Sequence, residues 1–194
     1  MPDFKKEWLA KAEVDYYSQF MSLWLSFNSW YRSHYSELSD KNDRQFIEKI
    51  KSDFTLRNPL YTNFNNLIAK EKIKENIRFK SDLESLYYSL NRASIKYPKG
   101  HCSNTLISFD SALYEYNKRK FIGSYEDLMK KPHQKQKVKL NEIFITSNLE
   151  LFFACLIEIL YQVRCLLFHG NLEPTKENHE VIKYCYSVLL ALLD

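Results

Sequence analysis

The sequence predicts an all-α protein, an antiparallel bundle of four to five main helices with additional short helices in its middle region. Three observations carry this expectation. The 194 residues include 3 glycines and 5 prolines, far fewer turn formers than an αβ or all-β chain of that length needs. Thirty aromatic residues (13 Phe, 14 Tyr, 3 Trp) in a 45% apolar composition supply ample core volume and exclude a disordered chain. Apolar residues also recur at three- and four-residue steps wherever the pattern is clear. One domain over 1–194 is expected, with core helices at about 4–35 and 140–193 and a less regular middle at about 40–131.

The elements follow in order. From Phe4 to Tyr35 the residues Phe20, Leu23, Trp24, Phe27, Trp30 and Tyr31 wind onto one broad stripe, predicting a long first helix. Ser39, Asp40, Asn42 and Asp43 offer N-caps for a second helix through Phe46, Ile47 and Ile50. Asn58-Pro59 marks a break and the first turn of a third, carrying Leu60, Phe64, Leu67 and Ile68. Ser81, Asp82 and Glu84 can open a fourth through Leu83, Leu86, Tyr87 and Leu90. Ile107, Phe109, Leu113, Tyr114 and Tyr116 permit another helix before Gly123 and Pro132 interrupt. The run KKPHQKQKVK, Lys130 to Lys139, reads as a solvated basic loop or a phosphate-contacting arm. Leu149, Phe152, Phe153, Leu156, Leu160, Val163 and Leu167 then hold the helical period up to Phe168-His169-Gly170, where glycine can close the helix in a left-handed conformation. Pro174 and Thr175 begin a last helix through Val181, Ile182, Cys185, Val188, Leu189 and Leu192, expected to pack antiparallel to the one before.

The charge is mildly basic, +4, which permits an anionic partner without demanding one. The charged N-terminus has no apolar core for secretion. Leu149 to Phe168 carries Glu150, Glu158 and Arg164, against a membrane span. Cys102, Cys155, Cys165 and Cys185 lack the paired spacing of a zinc site, and no metal or cofactor is expected. A cytoplasmic protein with no membrane partner is the expectation.

The chemistry concentrates in YQVRCLLFHGNLEP, Tyr161 to Pro174. Arg164 lies near the end of a helix and His169 at its terminus. Five helical steps would turn the two side chains about 140° apart, but Gly170 could let His169 leave the helical path and swing back. Arginine grips a phosphate with parallel hydrogen bonds, and histidine moves protons near neutral pH. RNA cleavage without a metal needs both: a base for the attacking 2′-hydroxyl and a cation for the charge building on the phosphoryl oxygens. One histidine cannot readily serve the leaving 5′-oxygen as well, so a two-fold homodimer pooling two such pairs is expected. Chance alone would supply about 0.5 such spacings in this composition, so the pair by itself is weak evidence and reads equally as Arg164 in a surface ion pair and His169 as a helix-end cap stabilised by the dipole.

The stretch YQVRCLLFHGN, between a long apolar helix and a final one, resembles the HEPN domain family, whose members carry an R-x4-6-H motif just before a tight turn. Arg164 and His169 match it. SLWLSFNSWY, Ser22 to Tyr31, is similar to the aromatic first helix around an asparagine in several HEPN branches. The resemblance is sharp over about Phe152 to Leu193 and moderate over the first helix. It implies a helical bundle, usually dimeric, with both protomers' motifs facing one cleft. It further implies a metal-independent endoribonuclease that leaves a 2′,3′-cyclic phosphate, with Arg164 stabilising the scissile phosphate and His169 transferring protons. Many members are toxins paired with a nucleotidyltransferase-type antitoxin, or phage-defence components.

Active members usually have a polar residue, often asparagine, one or two places after the arginine. This chain has Cys165 and Leu166 there; cysteine hydrogen-bonds only weakly and leucine not at all. Either Cys165 suffices, or Asn171 compensates from beyond the turn, or catalysis is impaired and the chain is a non-catalytic HEPN module for dimerisation, protein binding or RNA binding. Further candidates are Asn28, as a hydrogen-bonding residue on an apolar face or a support behind the cleft, Tyr161, three residues before Arg164, and Lys176, as an RNA-backbone contact. Glu158 reads as a buried salt bridge or an exposed-face residue rather than a catalytic one.

Overall fold

The computed structural model describes residues 14–69, 74–97, 105–120 and 127–194. Within them the protein is a helical bundle of four long helices, α1 (Tyr16–His34), α4 (Lys74–Ala93), α6 (Leu149–Phe168) and α7 (Lys176–Leu193), with three shorter ones, α2 (Asp43–Ser52), α3 (Pro59–Ala69) and α5 (Phe109–Lys120). One hydrophobic cluster runs through all of them.

The helix ends follow local chemistry. Asp15 caps α1, accepting from the Tyr17 and Ser18 amides at 3.0 and 3.3 Å. Among the described residues this helix starts at Tyr16, and the run expected from Phe4 is interrupted at Val14 and Asp15; residues before Val14 lie outside those described. Of the four caps offered for α2, Asn42 is the one used, in a reciprocal capping box with Gln45. Asn58 is fully buried, its amide donating to the Ile50 and Asp53 carbonyls while Pro59 opens α3.

The fourth helix begins at least seven residues before the expected Ser81. Asn76, Phe79, Leu83, Leu86 and Leu90 form a continuous buried stripe, and Asn76 donates to the Asn66 and Leu67 carbonyls at the end of α3. Glu84 is no cap: its carboxylate accepts the Glu142 and Ile143 amides at 3.0 and 3.1 Å.

That contact anchors the one sheet among the described residues, which corrects the reading of Lys130 to Lys139 as only a loop. Three short antiparallel strands, β1 (Met129–Lys130), β2 (Lys137–Lys139) and β3 (Phe144–Thr146), lie in the order β1-β3-β2, with Ile145 opposite both Met129 and Val138. Strands of two or three residues are too short to show alternation in a sequence.

α6 is the core helix, with every residue from Phe152 to Leu160 buried. Its length and apolarity would suffice to cross a bilayer, contrary to expectation, but most of it is enclosed by the bundle. It packs on α2 and α5, whereas α7 packs on α4 and α1. The last two helices meet only narrowly, so the expected side-by-side pair does not form. Each has stronger partners elsewhere, because α6 is apolar on all sides and is wrapped by several helices.

Between them lies a Schellman closure. The Gly170 amide donates to the Leu167 carbonyl at 3.1 Å and the Asn171 amide to the Leu166 carbonyl at 2.8 Å, with Gly170 at φ 67°. This left-handed glycine is the one expected from the sequence.

Candidate functional site

Arg164 leaves α6 one turn before its end, where Phe168, four residues on, shares its side of the helix. The guanidinium carbon stands 4.3 Å from the Phe168 ring centre and 5.6 Å from that of Trp24 on α1. Two aromatic faces hold the cation and account for much of its burial; the side chain is 15% exposed.

Its one ion pair among the described residues is loose. Arg164 Nη2 donates to Asp43 Oδ2 at 3.3 Å, whereas Arg32 Nη2 on α1 donates to the other oxygen of the same carboxylate at 2.5 Å. Charge-assisted N–H···O bonds ordinarily lie near 2.7–2.9 Å, so Asp43 belongs chiefly to Arg32. Asn28, four residues before Arg32, accepts from its Nε at 2.8 Å and fixes the fork. Arg164 Nη1 reaches only the Cys165 sulfur at 4.0 Å, and its buried Nε has no hydrogen-bond partner. A buried donor left unpaired costs about 1–3 kcal/mol. Two guanidiniums thus share one carboxylate, and the group carries a surplus positive charge.

Asp43 sits in the first turn of α2, where a negative side chain complements the helix dipole. Beneath it lies the fully buried Tyr31, whose phenol is pushed up first by burial and then by the Asp43 charge, so it stays neutral.

His169 is exposed and caps α6 with near-helical dihedrals, φ −89° and ψ 5°; its own amide donates to the Cys165 and Leu167 carbonyls. The bend therefore begins at Gly170, one residue too late to swing His169 back. Within one chain the Arg164 and His169 side chains leave the helix about 140° apart, and no hydrogen bond or ring contact joins them.

The other expected residues separate into groups. Cys165 touches Arg164 only through its weakly accepting sulfur. Leu166 is buried in the core and Asn171 is exposed, contributing its backbone amide to the helix closure and no side-chain bond to Arg164. Lys176, exposed at the start of α7, lines a separate hollow of about 470 Å³ with Asp15, Tyr17 and His179. Tyr161 packs its ring 6.3 Å from Trp24 and under the Arg44 guanidinium at 5.2 Å, linking the Arg164 neighbourhood to an ionic cluster deeper in the protein.

That cluster centres on Glu158, which is 1% exposed. Arg44 grips both its oxygens at 2.8 and 2.9 Å, Lys51 donates at 2.5 Å and Gln162 at 2.7 Å. Glu48 pairs with both cations. Burial alone would raise the Glu158 carboxyl; the Arg44 hydrogen bonds and the Lys51 charge outweigh it and hold the group at about 2. Of the two readings of Glu158, the buried salt bridge is the one present, and it is closed.

Asp43, Arg32, Arg44 and Lys51 were not singled out by the sequence. Asp43 figured only as a possible helix cap, and Arg32 could be linked only to Asn28, by i,i+4 spacing. Among the described residues, no group of three or more His, Cys, Asp and Glu is placed to hold a metal ion. Comparison of the chain with known protein families, curated proteins and solved structures gives no match.

Proposed function

We propose that the protein is a dimeric, metal-independent endoribonuclease of the HEPN type, with Arg164 stabilising the scissile phosphate and His169 transferring protons. The observation that carries this reading is the state of Arg164: a cation clamped between two aromatic rings, with donors left over and a loosely held counter-ion, five residues before an exposed histidine. A guanidinium fixed in this way needs little reorganisation to meet an oxyanion.

Because the two side chains diverge within one chain, the reading requires a second copy. On α1, Met21 and Leu25 are 37% and 62% exposed and continue along one helical stripe into Asn28 and Arg32. An apolar stripe running into the cationic group is a surface on which a two-fold partner would sit, setting a second histidine against each arginine. His169 of one copy then takes the 2′-hydroxyl proton as the oxygen attacks phosphorus. Arg164 neutralises the charge on the non-bridging oxygens, the other His169 protonates the departing 5′-oxygen, and a 2′,3′-cyclic phosphate remains. A cytoplasmic toxin or defence role, with a nucleotidyltransferase-type antitoxin, belongs to the same reading.

One observation favours a second reading, a non-catalytic HEPN module that binds RNA or protein. Arg164 already has Asp43 beside it, and the side chains that follow are a thiol and a buried leucine.

The test is single-stranded RNA incubated with purified protein in EDTA. The enzyme reading expects cleavage to 2′,3′-cyclic ends, lost in Arg164→Ala and in His169→Ala. Cleavage surviving both changes overturns the site, and binding without cleavage selects the module.

A further inference from the structure

The Asp43 carboxylate holds two guanidiniums from distant parts of the chain side by side, Arg32 on one oxygen and Arg164 on the other. We infer that Arg32, Asp43 and Arg164 form one phosphodiester-binding site, in which Asp43 sets the spacing and Arg32 supplies the second phosphate contact. This deepens the reading of Arg164 as the phosphate-binding residue and rests on it for the choice of RNA as ligand.

Three features support the inference. The first is charge: two cations and one carboxylate leave a surplus of one, which a single phosphodiester neutralises. The second is unused hydrogen-bonding capacity. Arg164 keeps a buried Nε donor without a partner, and its bond to Asp43 is the longer of the carboxylate's two. The donor that a phosphate oxygen meets most readily on Arg164 is the Nη2 loosely held by Asp43. The third is preorganisation with access. Arg32 is pinned by Asn28 at Nε and by Asp43 at Nη2, yet its side chain is 43% exposed and no interaction occupies its Nη1. A held but open arginine beside a partly satisfied one forms a two-pronged anion receptor. The Glu158 cluster, with its cations fully engaged, does not.

The probe is a single-stranded 2′-O-methyl RNA, which cannot undergo attack by its own 2′-oxygen, so binding is read apart from cleavage. Affinity is measured by fluorescence anisotropy across a salt series, with wild type, Arg32→Gln, Arg32→Lys and Arg164→Gln. Arg32→Gln is expected to weaken binding about tenfold and lower the log–log salt slope by about 0.7, the signature of one lost phosphate contact on a single strand. Arg32→Lys should restore most of the affinity and the slope. The Arg32→Gln/Arg164→Gln double variant should lose less than the two single losses combined, because both arginines act on one phosphate. Unchanged circular dichroism accompanies each variant, since Arg32 lies largely at the surface.

Affinity within twofold of wild type and an unchanged slope in Arg32→Gln would overturn the inference, as would a wild type that does not bind the probe. If the probe binds through Arg32 while unmodified RNA stays intact, the phosphate site stands and the ribonuclease reading falls. If unmodified RNA is cut with a KM indifferent to Arg32, the ribonuclease reading stands and this inference falls.

Discussion

Two ionic groups lie six residues apart on α6, and they are built to opposite ends. Around Glu158, two cations meet two carboxylates, the central carboxylate is buried and accepts from three side chains, and no solvent is needed to complete it. Around Arg164, two cations meet one carboxylate, one bond is long, and a donor is unsatisfied. A closed, neutral cluster has nothing left to offer a ligand, and its value lies in fixing how α2 packs on α6. An open, positive one keeps a net charge and an unpaired donor. A carboxyl held well below the ordinary range is therefore a poor guide to function here: Glu158 is such a group, and it is fully enclosed by its partners.

The contrast can be broken or sharpened by measurement. The largest effect is expected from Glu158→Ala, which takes from Arg44 and Lys51 their buried shared partner and leaves them only the part-exposed Glu48. Urea unfolding should show a loss of about 3–5 kcal/mol, and a loss below about 1 kcal/mol would contradict a closed structural cluster.

Acid should act on the same group. The Glu158 carboxyl is held at about 2 in the fold against an ordinary value of 4.5. Its lowered value means that its stabilisation is fully present above about pH 5 and disappears as the pH falls through 4.5 towards 2. The change is about 3 kcal/mol, and the acid limb should flatten in Glu158→Gln.

Gly170→Ala probes the helix end that carries His169. The site has open space around a built Cβ, so the cost is the left-handed backbone alone, about 1–2 kcal/mol. The smallest stability effect belongs to Arg164→Ala. It removes a long ion pair and two aromatic contacts but also relieves a buried unpaired donor, leaving a net loss of about 1 kcal/mol, and thermal melting should place it close to wild type.

What was legible in the sequence was local. Periodicity marks the long helices, and Asn42, Asn58-Pro59, Thr175 and Gly170 mark ends, because each cap bonds to backbone only a few residues away. The start of α4 was hidden because Ser81 and Asp82 are good cap residues, while the stripe that carries the helix through them begins at Asn76. The strands were hidden by their shortness. The candidate site was half legible. Arg164 and His169 stand out as a motif, but the partners that define Arg164 do not. Asp43 is 121 residues away and Lys51 lies 107 from Glu158, and such pairings depend on how α1, α2 and α6 pack rather than on any neighbouring residues.

The claim that the open group is the functional one is tested most directly by RNA cleavage in EDTA, comparing wild type with Arg164→Ala at temperatures where both are folded. The account predicts a loss of at least about 100-fold in cleavage rate with the melting temperature nearly unchanged. Undiminished cleavage by folded Arg164→Ala would contradict it.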